Sequence, residues 1–226
     1  MPGSREVLVL HDEGFGTAVA ERLGALPSVT TRASLPDGLP SPGEVPARSV
    51  LVLALNQPAP RFEREADRLA LARDAFLIPV VASHQTVRIG PVLGPGAHAT
   101  MDCHYRRTLQ HRTTTGSPEL QAAYDEVGHR HSVGFLPSLV ATASSWTAAV
   151  IHRLADGDSS DLQQVTFFSG NSPRIGRHRL TGVHGNVRSA AAVPAEDRSW
   201  RALLPLAREL AQDLPAPDAV TEGAAR

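Results

Sequence analysis

The stretch EVLVLHDEGFGTAVAERLGAL, residues 6–26, decides the fold of this chain. An apolar run at 6–11 is followed by a turn containing Gly14 and Gly16, and then by apolar residues spaced three to four apart over 17–26. The run predicts a buried strand, and the spacing predicts an amphipathic helix. A strand, a glycine turn and a helix in this order are typical of the first unit of a Rossmann-like fold.

Strand-like and helix-like segments continue to alternate up to about residue 90. The predicted elements are a strand at 28–32, an irregular proline- and glycine-rich stretch at 35–46, a buried strand at 49–55, a helix at 61–74 and a strand at 76–81. This alternation predicts a parallel, doubly wound sheet. The predicted fold class is therefore α/β, a Rossmann-like parallel sheet with helices on both faces.

The second half of the chain has a different pattern. A short strand-like run at 87–92 is followed by a proline and glycine turn and then by these predicted elements: helices at 100–112, from Pro118, at 137–154 and at 196–214, and two antiparallel strands at 163–168 and 174–183. We predict a Rossmann-like half at 1–96, a second half with helices and a short antiparallel β element at 97–214 packed on it, and a disordered tail at 215–226.

Composition narrows the range of functions. The 226 residues carry a formal net charge of -1, and the sequence contains no apolar run near the roughly 20 residues that a membrane helix needs. We therefore expect a cytoplasmic protein without a nucleic-acid or membrane partner. All 22 basic residues are arginine, which excludes catalysis by a Schiff-base lysine or a phosphate-binding lysine. The single cysteine excludes an intrachain disulfide and dithiol redox chemistry.

Gly14 and Gly16 match the start of a dinucleotide-binding fingerprint, in which they would let a phosphate approach the N-terminus of a helix. The third glycine position is Val19, however, and the charges of Asp12 and Glu13 would repel a phosphate. The segment at 54–58, at the end of the buried strand at 49–55, also contains neither a carboxylate nor an arginine. The two glycines form either a tight structural turn or part of a nucleotide site, and both interpretations stay open. The missing charged residues indicate that an ATP-dependent activity has been lost or was never present.

The histidines and the cysteine near residue 100 allow two further interpretations, a metal site and a catalytic nucleophile. His98, Cys103, His104 and His111 are of the types that bind zinc, but their helical spacing disperses them and favours a solvated helix face. Cys103, with two arginines close by in the sequence, is a candidate nucleophile. The alternative for this residue is a small buried hydrophobic side chain.

The stretch VRIGPVLGPGAHATMDCHYRR, residues 87–107, resembles the ThiF-like, ubiquitin-activating-enzyme-like proteins that partner YcaO cyclodehydratases in making thiazole- and oxazole-modified peptides. That family has a similar GP-x-x-x-PG-x-x-AC-x-x-C-x-x-x-R stretch after a Rossmann-like half, and a second, HGCPRC-like pair near the C-terminus. HGNVRS, residues 184–189, stands at the second place in this chain. The resemblance implies that the family's four cysteine positions are Thr100, Cys103, Asn186 and Ser189 here.

Only Cys103 among these four residues is of a zinc-ligand type. Structural zinc is held by four thiolate or imidazole ligands, whereas the hydroxyls of Thr100 and Ser189 stay protonated and the amide of Asn186 is a weak donor. We therefore expect no cofactor, and a zinc site that has been lost while hydrogen bonds between small polar side chains preserve its shape.

The resemblance also implies a function, that of a non-catalytic accessory or scaffold subunit in the biosynthesis of ribosomally synthesised, post-translationally modified peptides of the azole, thiopeptide or lanthipeptide kind. The implied partners are a YcaO-type cyclodehydratase or a peptide dehydratase, a precursor peptide, or a second copy of the chain. We expect the family's N-terminal peptide-binding module to be absent, because the chain begins at the first strand. The alternative function is a nucleotide-dependent enzyme or a small oxidoreductase that uses the Rossmann-like half.

Overall fold

The computed structural model describes residues 5–26, 29–33, 38–83, 85–111, 134–183 and 185–188, together with Leu204 and Arg208. Its elements in chain order are β1 (Val7–His11), α1 (Phe15–Leu23), β2 (Val29–Ala33), a 3-10 turn (Pro42–Glu44), β3 (Val50–Leu55), α2 (Pro60–Ala72), β4 (Phe76–Ser83), β5 (Thr86–Ile89), α3 (Met101–His111), α4 (Pro137–Ala155), β6 (Gln164–Ser169) and β7 (Ser172–Arg179). The predicted helix from Pro118, nearly all of the predicted final helix and the predicted tail lie outside these residues.

One seven-stranded sheet runs through both halves of the chain, in the order β2-β1-β3-β4-β5-β6-β7. The first four strands are parallel, and β5, β6 and β7 are antiparallel to their neighbours. The sequence predicted a parallel sheet up to about residue 90, but the parallel part of the observed sheet ends with β4 at Ser83. Only residues 84 and 85 connect β4 to β5, and a connection this short permits a hairpin but not a parallel crossover.

Helices cover both faces of the sheet, which confirms the predicted α/β class. In β3, Val50 and Val52 pack on the face covered by α1 and α4, whereas Leu51 and Leu53 pack on the face covered by α2 and α3. Every residue of β3 is buried. A strand buried on both faces needs apolar side chains at every position, and this explains the unbroken apolar run in its sequence.

The helices follow the predicted spacing with small shifts of their ends. α1 begins at Phe15, two residues earlier than predicted, and Gly24 follows its last residue. α4 buries Leu139, Ala143 and Leu154 as its spacing predicts, while its half-buried Trp146 packs edge-on against Phe168 of β6 at 5.3 Å between ring centroids. In the part of the chain that is described, no helix combines the length and the apolar character needed to cross a membrane.

Candidate functional site

The turn between β1 and α1 lies at the carboxyl ends of the central parallel strands. Gly14 has a φ of 66°, a left-handed value that favours glycine, and it immediately precedes the helix. A β-carbon on Gly16 would overlap the carboxylate of Asp12 and come within 2.5 Å of the carbonyl oxygen of Ala54. Gly16 is therefore required because the helix approaches the ends of β1 and β3 closely.

Asp12, directly after β1, is hydrogen-bonded to the residue that directly follows β3. The backbone N–H of Asn56 donates to both of its carboxylate oxygens, at 2.9 and 2.8 Å, and the hydroxyl of Thr17 donates to its carbonyl oxygen at 3.0 Å. Burial raises the pKa of Asp12 to about 7. In doubly wound folds, ligands bind at the carboxyl ends of the strands where the strand order reverses, so a carboxylate stands here where a phosphate is usually bound.

The nucleotide-binding role of Gly14 and Gly16 stays a prediction, although their structural roles are clear from this geometry. Val19, at the third glycine position of the fingerprint, is fully buried against the sheet. The partner that the sequence reasoning missed is Asn56, whose backbone N–H holds the Asp12 carboxylate. An acidic residue directly after β1, next to a glycine turn, was the available signal.

Thr100 and Cys103 meet at the N-terminus of α3. The hydroxyl oxygen of Thr100 accepts the backbone N–H of Cys103 at 3.3 Å, in the manner of a helix cap, and it lies 3.3 Å from Sγ of Cys103. The same sulfur accepts the backbone N–H of Val183 at 3.2 Å, across 80 positions in the sequence. The junction before α3 is thus in direct contact with the C-terminal loop at 181–188.

Asn186 holds the shape of that loop. Its amide nitrogen donates to the carbonyl oxygens of Val183 at 2.7 Å and His98 at 3.0 Å, and its amide oxygen accepts the backbone N–H of Arg188 at 3.0 Å. Thr100, Cys103 and Asn186 line one cleft of about 490 Å³ between α2, α3 and the loop. Ser189, the fourth predicted position, lies outside the described residues.

The donors in this cleft do not match a structural zinc site. Thr100, Cys103 and Asn186 offer a hydroxyl, a thiol and an amide, and each of them makes hydrogen bonds with its neighbours. Elsewhere among the described residues, no group of three or more histidine, cysteine, aspartate or glutamate side chains could hold a metal ion.

His104 is buried, so the prediction of a solvated face is wrong for this residue. Its ring packs edge-on against Tyr105, and His104 lines a cavity together with His178 and Arg179 of β7. Burial first, and then the positive charges of Arg88 and His178, lower the pKa of His104 to about 3. His98 is exposed as predicted, and the side chain of His111 lies outside the described part of the chain.

Cys103 is 1% exposed, which matches the interpretation as a buried side chain better than that as a nucleophile. The catalytic interpretation would also need an orienting base, and the hydrogen-bond neighbours of the sulfur are a hydroxyl and a backbone amide.

Two buried carboxylates on α2 form a polar network that the sequence reasoning missed. Glu63 accepts the hydroxyl of Tyr105 at 2.6 Å and pairs with Arg88 of β5. Asp67, one turn later, pairs with Arg188 at 2.7 Å and accepts the backbone N–H of Met101 at 2.9 Å. Two acidic residues four apart on the apolar face of a predicted helix were the signal that could have revealed this network.

Comparison with known proteins gives similarity in structure alone. No family model matches the sequence, and no curated protein matches it. The heterocyclase TruD is similar with a TM-score of 0.53 and 13% identity, over 79% of this chain and 26% of TruD. E. coli MccB is similar with a TM-score of 0.56 and 10% identity, over 83% of this chain and 65% of that one.

A chain of the E. coli microcin synthetase McbBCD complex is similar with a TM-score of 0.56 and 13% identity, over 82% of this chain and 69% of that one. This chain therefore spans about a quarter of the length of TruD and about two thirds of the other two. At such low identities the similarity identifies the fold, which is the one that this chain shares with parts of TruD, MccB and the microcin synthetase.

Proposed function

We propose that this chain is a non-catalytic accessory or scaffold subunit in the biosynthesis of ribosomally synthesised, post-translationally modified peptides. The observation that carries the proposal is the contact between the two stretches that resemble the ThiF-like family. Cys103 and Val183 are 80 positions apart and in hydrogen-bond contact, as expected if both stretches derive from one metal-binding site. The fold shared with a heterocyclase and a microcin synthetase supports the same pathway.

The non-catalytic part of the proposal is supported by the turn after β1. The carboxylate of Asp12 occupies the position at which a nucleotide phosphate would be expected, and it already accepts the N–H of Asn56. The chain also has no lysine to bind phosphates. Binding a polyphosphate here would require moving the Asp12 carboxyl group and replacing its hydrogen bonds.

In this proposal the chain acts by binding, and its partner performs the chemistry. The partner is a YcaO-type cyclodehydratase or a peptide dehydratase, and the chain stabilises that enzyme or presents a precursor peptide to it. The shared fold makes up about a quarter of the length of TruD. This supports the proposal that the fold serves as one part of a larger catalytic assembly.

Affinity purification of the tagged chain from its own producing cells, with mass spectrometry of the co-purifying species, tests the proposal. The expected result is recovery of a YcaO-type or dehydratase enzyme, or of a short precursor peptide, at a level absent from a control purification of an unrelated protein with the same tag. A solitary protein under mild lysis conditions would contradict the proposal.

Thermal-shift measurements with ATP, NAD and FAD test the non-catalytic part separately. A ligand present at about 1,000 times its dissociation constant stabilises the folded state by about 4 kcal/mol, which gives an easily measured rise in Tm. We expect no shift for the natural chain. A reproducible rise in Tm with any of the three ligands would favour a nucleotide-dependent enzyme or an oxidoreductase instead.

A further inference from the structure

The outer edge of β7 is an exposed strand edge with a high density of positive charge. Its sequence, SPRIGRHR, contains three arginines and a histidine within eight residues. Arg174, Arg177, His178 and Arg179 are all exposed, and Ile175 between them is 55% exposed. Arg177 already pairs with Asp161 at 2.7 Å, so Arg174 and Arg179 supply the positive charge available to a ligand. β7 is the last strand in the sheet order, so among the described strands only β6 pairs with it and its other side is left unpaired.

The register of β7 on β6 shows which backbone groups face outwards. The N–H of Leu180 donates to the carbonyl oxygen of Gln163, so the hydrogen-bonded positions on β7 continue at every second residue, at His178 and Gly176. The N–H and C=O groups of Arg177 and Arg179 therefore point away from β6. Within the described part of the chain these groups have no backbone partner.

A cationic cavity of about 510 Å³ lies beside this edge, between α3 and β7. The residues that line it include two arginines and two histidines but no carboxylate, and they are His104, Arg107, Thr108, Phe167, His178, Arg179, Leu180 and Thr181. The Nε atom of Arg107 is buried and has no hydrogen-bond acceptor within the described residues. The cavity therefore has unused capacity to bind an anionic group.

We propose that the outer edge of β7, together with the adjacent cavity, binds an acidic peptide segment in extended conformation as an additional strand. This inference rests on the proposed function and adds the recognition site and the charge of the peptide. Backbone groups at alternate positions would supply the hydrogen bonds of strand addition. Arginines on both faces of β7 would select acidic side chains, one of which reaches Arg107 and Arg179 in the cavity.

Charge complementarity distinguishes this occupant from a second copy of the chain. Pairing of two β7 edges would bring two rows of arginines together, and like charges at a strand interface are unfavourable. Charged side chains on an edge strand also protect proteins against unwanted pairing. Such protection, however, accounts neither for the exposed Ile175 within the edge nor for a neighbouring cavity that is lined by Arg107 and Arg179 and has no carboxylate in its lining.

The binding test uses the purified full chain and a fluorescein-labelled peptide of about eight residues in which glutamate and threonine alternate. Fluorescence anisotropy should show binding that weakens as salt is added. The same peptide with glutamine in place of glutamate should bind about tenfold more weakly or worse, because the charge-assisted contacts are lost. Equal binding of the two peptides would overturn the proposal.

Variants of the chain locate the site. Arg174→Glu together with Arg179→Glu should weaken binding of the acidic peptide by about tenfold or more. Arg22→Glu, an exposed position on α1, is the control for charge reversal away from the β7 edge and should leave binding unchanged, provided that all variants keep the same Tm. Loss of affinity in the Arg22 variant, or unchanged affinity in the double variant, would also overturn the proposal.

N-methylation of the central amides of the peptide tests strand addition itself, because it removes backbone donors and keeps the charge. We expect about tenfold weaker binding or worse. Binding that follows charge but ignores N-methylation would mean a non-directional polyanion contact and would contradict strand addition. If no acidic peptide binds while an enzyme is still recovered from producing cells, the β7 site is wrong and the accessory function stands.

Discussion

At the scale of single residues, the surroundings of Asp12 determine both its position and its charge. Its carboxylate is held by the N–H of Asn56, and Gly16 leaves the space that it fills. Burial raises its pKa from 3.8 to about 7. The folded chain therefore binds this proton more tightly than the unfolded chain, and the carboxyl group favours folding more strongly as the pH falls from about 8 towards 4.

Asp12→Asn should remove this pH dependence. We expect the stability of the variant, relative to the natural chain, to increase by about 2 to 3 kcal/mol between about pH 5 and pH 8, because only the natural chain must ionise a buried carboxyl group. Urea unfolding at several pH values measures this difference. Glu13→Gln, an exposed neighbour with the same change of charge, is the control. Parallel pH profiles for the natural chain and Asp12→Asn would refute the assignment.

The cleft at α3 gives a second prediction at this scale. Thr100→Cys, Asn186→Cys and Ser189→Cys together would provide four thiols with Cys103, and we expect the folded triple variant to bind one zinc ion with sulfur ligands. Metal analysis after gel filtration and the spectrum of the cobalt derivative measure this. Thr100→Cys alone is the control, since two thiols bind zinc more weakly than four. A folded triple variant without zinc would show that residues 186 and 189 are wrongly aligned with the family's second pair.

At the scale of elements, α2 connects regions that are distant in sequence. Its buried carboxylates at Glu63 and Asp67 hold Arg88 of β5 and Arg188 of the C-terminal loop. The Arg188–Asp67 pair spans 121 positions. One helix therefore fixes the position of a hairpin strand and of the loop that closes the cleft.

Glu63→Gln should destabilise the fold by about 3 to 5 kcal/mol, because it leaves the charge of Arg88 buried without its counter-charge. Urea unfolding measures the loss. Glu65→Gln, on the same helix, is the matched control: its partner Arg61 is exposed, and we expect a change within about 0.5 kcal/mol. Similar losses for both variants would mean that the Glu63 pair has no special role.

At the scale of the whole molecule, the elements with strong local patterns were predictable and the long-range arrangements were not. The apolar runs of β1, β3 and β4 and the helix of α4 are visible in the sequence, because burial on one or both faces determines their residues. The direction of β5 depends on a two-residue connection rather than on its own composition. His104 is buried beside a cavity that it shares with β7, more than 60 positions later in the sequence, and no local pattern predicts this position.

Part of the candidate site was likewise predictable from the sequence. The contact between the stretch around Cys103 and the loop around Asn186 followed from a family resemblance, since no spacing within the chain implies it. The ion pairs of Glu63 and Asp67 were missed because an arginine partner cannot be chosen among 22 candidates without the fold. The position of the Asp12 carboxylate between the carboxyl ends of β1 and β3 was only partly predicted, as a charge that repels phosphate.

Arg188 connects the loop at 181–188 to α2 and to the turn after β5, which gives a prediction for the molecule as a whole. Arg188→Met removes the bonds to Asp67 and to the carbonyl oxygen of Gly94, so we expect the loop at 181–188 to open more often. Hydrogen exchange at the Val183 amide, which donates to Cys103, should become about tenfold faster or more. Arg174→Met is the control. Unchanged protection of Val183 would show that Asn186 alone holds the loop.

The single sheet has a consequence for how the chain could be divided. β5 belongs to the first 96 residues, yet its outer edge is covered by β6, and the face of β3 that carries Val50 and Val52 is covered by α4 from the second half. Two polypeptides cut at this point would each expose an open strand edge and an apolar surface. They would behave as complementing fragments, each soluble only when the other is synthesised in the same cell.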